Sequence, residues 1–129
     1  MATNDSMTVA VVGASADRSK FGNRSLRAHA DCGYTVYPIN PRGGEIEGHS
    51  VYKSIAEVPA TRLDRVTMYV PPAVGLPMLE AIAAKGCDEL WLNPGTDSPE
   101  MTARAEELGL NPIVACSLID CQQRARSAE

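Results

Sequence analysis

Apolar positions recur along this chain in two periods, one suited to strands and one to helices. Val9-Ala10-Val11-Val12 is an unbroken apolar run, the pattern of a short strand buried on both faces. It breaks at Gly13, and a helix is expected from near Lys20 to about Cys32, with Gly33 just past its end. Tyr34 to Asn40 is a β-rich second strand, and Pro38 within it suits a strand end or a sheet edge. Pro41-Arg42-Gly43-Gly44 turns the chain, Glu45 to Ser50 reads as a polar loop, and Tyr52 to Val58 as a short helix.

Leu63 to Val70 is a third strand, halted by Pro71-Pro72. Val74 to Lys85 is a helix with an apolar stripe of Met78, Leu79, Ile82 and Ala83, ended by Gly86. Glu89 to Leu92 is a fourth strand, broken by Asn93-Pro94-Gly95. Ser98 is the expected N-cap of a helix with Pro99 at its first position, burying Met101, Ala105 and Leu108 and stopping at Gly109. Pro112 to Ala115 is a fifth strand, and a last helix runs from Ser117 to about Arg124. Five alternations of strand and helix predict an α/β class domain, Rossmann-like, three layers deep (α/β/α), with a five-stranded parallel sheet. One domain is expected over residues 7–124, with flexible ends at 1–6 and 125–129.

In such sheets a ligand lies beyond the carboxyl ends of the strands, at the switch in strand order. The four informative strand ends are Gly13-Ala14-Ser15, Asn40-Pro41-Arg42, Val70-Pro71-Pro72 and Asn93-Pro94-Gly95. The first leads into a helix N-terminus, where free N–H groups and the helix dipole favour an anion. Only Gly13 of the dinucleotide fingerprint is present, because Ser15 and Arg18 stand where its later glycines would fall. Ser15 supplies a hydroxyl, and Arg18 and Lys20 supply cations, so the loop reads as a phosphate site that uses side chains as well as backbone. After the second strand an NAD site would carry an acid for the ribose 2′-hydroxyl. This chain has Asn40, Pro41 and Arg42 there, which suits a phosphorylated ribose, as in NADP or coenzyme A. Val70-Pro71-Pro72 offers a stiff apolar wall for an adenine, and Asn93-Pro94-Gly95 a wall for the rest of a ligand.

Composition narrows the partner. Of 129 residues 44% are hydrophobic but only 5% aromatic, so the core is expected to be aliphatic. The net charge of −4 argues against a nucleic-acid partner, which needs a basic surface. Residues 15–42 nevertheless carry Arg18, Lys20, Arg24, Arg27 and Arg42 against Asp17 and Asp31, which favours a small polyanion over a long nucleic-acid track. Cys32, Cys87, Cys116 and Cys121 form no metal-ligand spacing, and no membrane-spanning run is present. Reduced thiols in a cytoplasmic protein, with no membrane or metal partner, are the simplest expectation, as a monomer or homodimer.

Taken together, Val12-Gly13-Ala14-Ser15, Lys20-Phe21-Gly22-Asn23, Gly33-Tyr34 with Val36 to Pro41, Glu45-Ile46-Glu47-Gly48, Val70-Pro71-Pro72 and Asn93-Pro94-Gly95 resemble the small stand-alone CoA-binding domain proteins. These are similar to the N-terminal domain of the succinyl-CoA synthetase alpha subunit. The resemblance runs from about Met7 to Cys116 and implies a domain that holds the nucleotide end of CoA or acyl-CoA at its first loop. It implies that Ser15, Ala16, Asp17 and Arg18 line the phosphate loop. By the same resemblance Arg42 stands where the synthetase has a CoA-contacting lysine, and Leu92, Asn93 and Pro94 occupy the segment that lies along the CoA there.

No catalytic residue is assigned. The phosphorylated histidine of the synthetase lies outside its CoA-binding domain, and neither His29, expected to be exposed near the end of the first helix, nor His49, in a loop, sits in a nucleophile motif. Cys116 is expected to be a buried, inert thiol. The first reading is therefore a CoA-binding module without turnover. The alternatives are an NADP-dependent oxidoreductase with an atypical glycine loop, and an acyl-CoA enzyme completed by a partner chain.

Overall fold

Val9 to Val12 are at most 1% exposed, and their neighbours explain why. In the computed structural model, which describes residues 7–128 with side chains through residue 123, this run is strand β1 (Thr8–Val12) at the interior of a sheet. It pairs in parallel with β2 (Thr35–Ile39) on one side and β5 (Leu63–Met68) on the other. Between β2 and β5 a two-residue hairpin, β3 (Glu45–Ile46) and β4 (His49–Ser50), replaces the expected polar loop. Beyond β5 lie β6 (Cys87–Leu92) and β7 (Pro112–Val114), so the main sheet reads β2-β1-β5-β6-β7, all parallel. Pro38 is on the edge strand β2, where its missing N–H costs no ladder bond.

Helices cover both faces, as a parallel sheet requires. Helix α1 (Phe21–Asp31) follows β1 and packs against α5 (Ser117–Ala128). The opposite face holds α2 (Pro72–Gly75), α3 (Leu79–Lys85) and α4 (Pro99–Glu107). The helix expected over Val74–Lys85 is broken: a 3₁₀ turn at Leu76–Met78 separates α2 from α3, because Pro77 has no N–H to continue an α ladder. Helix α4 begins as expected, with Ser98 Oγ accepting the Met101 N–H at 3.1 Å. The ends expected to be flexible, 1–6 and 125–129, lie outside the residues whose side chains are described, although the α5 backbone remains helical to Ala128.

The two faces differ in chemistry. Ala10, Val12, Val66, Met68, Leu90 and Leu92 turn toward α3 and α4, where they meet Leu79, Ile82, Met101 and Ala105 in an aliphatic core. Val9, Val11 and Leu26 fill a smaller core under α1. Beside it sits a charged cluster centred on Arg65, which is 1% exposed. Arg65 donates to Glu89 at 3.0 Å, to Asp120 at 2.8 Å and to His29 Nε2 at 3.2 Å, and its guanidinium lies 4.7 Å from the Trp91 ring centroid. Trp91 donates to the same Glu89 carboxylate.

His29 is therefore buried, not exposed as expected from its place near the helix end. An arginine can only donate, so His29 Nε2 accepts and Nδ1 carries the hydrogen, which goes to the Ser25 carbonyl at 2.8 Å. Burial pulls its pKa down from 6.5 to about 4; the Ser25 bond opposes that shift and the Arg65 charge adds to it. The unfolded chain holds the His29 proton below about pH 6.5 and the folded protein does not, so stability is lost as pH falls through that window. Denaturant unfolding at pH 7 and pH 5 should show a loss of about 2 kcal/mol that is absent in His29→Gln.

Candidate functional site

The order β2-β1-β5 places the chain's change of direction between β1 and β5, and a cleft of about 300 Å³ opens there. Its walls are Gly13, Lys20, Phe21, Gly22, Tyr69, Val70 and Pro94-Gly95-Thr96. Three of the four expected strand ends and one helix N-terminus thus converge, while Asn40-Pro41-Arg42 lies outside this lining.

The helix end is held close by two glycines. Gly13 has φ +89°, and a Cβ there would lie 2.9 Å from the Tyr69 carbonyl oxygen. A Cβ on Gly22 would collide with the Gly13 carbonyl oxygen. This contact takes the part that a later glycine plays in dinucleotide loops, letting helix and strand approach. The N-cap is Lys20, which makes no side-chain cap, and no acid stands in the first turn. Asn23 and Arg24 N–H bond to the Lys20 carbonyl, leaving the Phe21 and Gly22 N–H groups without a bond to any described residue. Such groups, with the helix dipole behind them, favour an anion.

The loop before the helix is braced from within. Asp17 N–H donates to Ser15 Oγ at 3.1 Å, and Asp17 Oδ1 accepts from the Ser19 N–H and hydroxyl. Hydrogen bonds from the Ser19 hydroxyl and N–H hold the Asp17 carboxyl below its usual value, against an opposing desolvation effect, and the Lys20 charge adds to the lowering. Gly13 and Ala14 N–H both donate to the Ile39 carbonyl and are not free for a ligand. Buried Asn23 joins the loop to the hairpin, donating to the Ser15 carbonyl at 2.9 Å and to Glu47 at 3.1 Å. Glu47 also pairs with Arg18 at 3.3 Å and occupies the left-handed region at φ 52°, in the tight turn before Gly48.

The other expected residues divide by position. Asn40 spans the end of β2, donating to the Ala14 carbonyl at 2.9 Å and accepting the Arg42 N–H at 2.9 Å. Pro41 and Arg42 are exposed beside it, and the Arg42 guanidinium has no hydrogen bond or ion pair among the described residues. Val70, Pro94 and Gly95 line the cleft, while Pro71 and Pro72 start α2 and Ala14 to Arg18 lie outside its lining. Leu92 is 0% exposed in the core. Asn93 is 1% exposed, and its amide is occupied by Thr67 Oγ1 at 2.6 Å, the Met68 carbonyl at 2.8 Å and the Ser117 N–H at 2.9 Å. Tyr69 joins this network through Ser117 Oγ at 2.9 Å, and burial pushes its hydroxyl above its ordinary range, so it stays neutral.

Sequence reasoning missed Phe21, Gly22, Tyr69 and Thr96 as cleft residues. Gly22 had a signal, a glycine at the second position of a helix where alanine is preferred. Phe21, 56% exposed with the Arg24 guanidinium 5.0 Å from its ring centroid, had only its place in the Lys20-Phe21-Gly22-Asn23 motif beside the loop.

Three comparisons bear on this site. The sequence model of a family described as CoA binding domain matches residues 7–122. The alpha subunit of an ADP-forming acetate–CoA ligase from Pyrococcus furiosus is 38% identical over an 85-position alignment that covers 61% of this chain; the chain spans only 18% of that subunit's length. A conserved hypothetical protein from Pyrococcus furiosus superposes with a TM-score of 0.79 at 33% identity, over 88% of this chain and 98% of that one. A dinucleotide-forming acetyl-coenzyme A synthetase of Candidatus Korarchaeum cryptofilum, solved with phosphate and ADP, gives 0.73 at 29% identity, over 84% of this chain and 25% of that one.

The Gly22 contact can be tested directly. Gly22→Ala should destabilise the domain by about 1–3 kcal/mol, because the new methyl meets backbone and not a movable side chain. Chemical denaturation measures this, and an unchanged midpoint would mean that α1 can draw back from the loop freely.

Proposed function

The chain belongs to the CoA-binding domain family, and on that premise we propose that it holds CoA or an acyl-CoA by its nucleotide end at the carboxyl rim of the sheet, as a carrier, sensor or regulator without turnover. The observation that carries this reading is the uncapped N-terminus of α1 facing the cleft at the strand-order switch. A pyrophosphate there accepts from the Phe21 and Gly22 N–H groups and meets the Lys20 ammonium. The braced segment Ser15-Ala16-Asp17-Arg18 borders it. Arg42, with no partner among the described residues, takes the ribose 3′-phosphate, and Val70 with Pro94-Gly95 flanks the remainder. Asn40 and Asn93 act as positioning residues, since their amides are already bonded to the loops that form the rim. The reading carries a cytoplasmic setting, where disulfides are transient. Among the described residues no helix is long and apolar enough to cross a membrane.

A second reading, an acyl-CoA enzyme completed by a partner chain, rests on one observation. The matched segment is a small part of a larger ligase subunit. Nothing in the rim favours the NADP alternative over CoA.

Calorimetry with CoA, dephospho-CoA, NAD and NADP tests the first reading. CoA should bind about tenfold or more tighter than dephospho-CoA, because a hydrogen bond to a charged group contributes about 1.5–3 kcal/mol. Arg42→Ala should bring the two ligands to near-equal affinity, and NADP binding without CoA binding would reverse the assignment. Acetyl-CoA incubated with the chain alone should be recovered intact by chromatography, whereas its consumption would remove the non-catalytic role.

A further inference from the structure

Away from the nucleotide cleft, α1 and α5 bring two thiols together. Cys32, at the C-terminal end of α1, and Cys121, on the second turn of α5, are separated by 89 positions in sequence, yet their sulfurs lie 2.7 Å apart. Both are free thiols. Each is also held by the other helix: Cys32 Sγ donates to the Cys121 carbonyl at 3.3 Å, and Cys121 Sγ donates to the Ala28 carbonyl at 3.3 Å. The two differ in access. Cys121 is 0% exposed, whereas Cys32 is half-buried and lines an open cleft of about 480 Å³ between the two helices, beside Ala28, Leu118 and Gln122. Burial pushes the Cys121 thiol up to about 12, so Cys32, the partner that reaches the cleft, is the one that reacts first.

We propose that Cys32 and Cys121 are a thiol–disulfide site, oxidised by a low-molecular-weight disulfide that enters through this cleft, and that the resulting bond clamps α1 to α5. The Cys32 thiolate attacks one sulfur of the small disulfide, forms a mixed disulfide and expels one thiolate. Cys121 then loses its proton and attacks Cys32 Sγ, expelling the second thiolate. The protein gives up two electrons and two protons, and the small disulfide leaves as two thiols. Cys87, buried with its thiol pushed up to about 11, and Cys116, which precedes α5, take no part. The clamp is independent of which ligand occupies the nucleotide rim.

Oxidised glutathione provides the probe, with non-reducing peptide mapping as the readout. A peptide pair joined through Cys32 and Cys121 is the expected product in the full-length chain. Cys121→Ser should stop at a glutathione mixed disulfide on Cys32, and Cys32→Ser should leave Cys121 unmodified in the folded protein. The oxidised wild type should melt about 5 °C or more above its reduced form, since the bond closes a long loop. No cross-link, or a cross-link through Cys87 or Cys116, overturns the site. A Cys32–Cys121 bond that leaves the melting temperature unchanged overturns the clamp. The mapping uses wild-type protein, so it stands even if a variant does not fold.

Discussion

The contact between Gly22 and the Gly13 carbonyl sets the geometry of the candidate site at the rim. It brings the first turn of α1 against the end of β1 with no side chain between them. From that contact follow the direction of the Phe21 and Gly22 N–H groups, the position of Lys20 and the width of the cleft between β1 and β5. Backbone donors fixed in this way need no rearrangement when an anion arrives, and such preorganisation lowers the cost of binding. The acidic hairpin then acts on the loop from the other side, with Glu47 holding Asn23 and Arg18. Its left-handed backbone is tolerable because the carboxylate gains two partners there.

Behind the rim, one buried amide links three elements. Asn93 at the end of β6 joins Thr67 and Met68 of β5 to the first residue of α5. Ser117 extends the network to Tyr69 at the cleft wall. The rim is thus supported by side chains that have used their hydrogen-bonding capacity internally. What it leaves free for a ligand is backbone N–H, Lys20 and Arg42.

The sheet and its order of elements were legible because β1 is an apolar run, and because glycine or proline closes nearly every element. The cap at Ser98 followed from one residue with one physical meaning, whereas Pro38 fitted a strand end or an edge until the strand order placed it at the edge. The break at Pro77 was equally written in the chain, but the strong apolar stripe of Met78, Leu79 and Ile82 masked it. What sequence could not show was burial of polar groups. His29 and Asn93 look like surface residues until their partners, 36 and 26 positions away, are placed beside them. The charges on Arg18 and Arg42 looked alike in sequence, and only the fold separates a cation held by Glu47 from one without a partner among the described residues.

The Arg65 cluster gives the two sides of one sheet different evolutionary freedom. The aliphatic side can drift, since volume-conserving exchanges among Leu79, Ile82 and Leu90 keep the packing. The other side is locked as a set, because losing Glu89 or Asp120 alone leaves a guanidinium in the interior with too little compensating charge. Arg65 and its acidic partners can therefore be exchanged only together, or through an intermediate in which a neighbouring side chain has already supplied the missing acceptor.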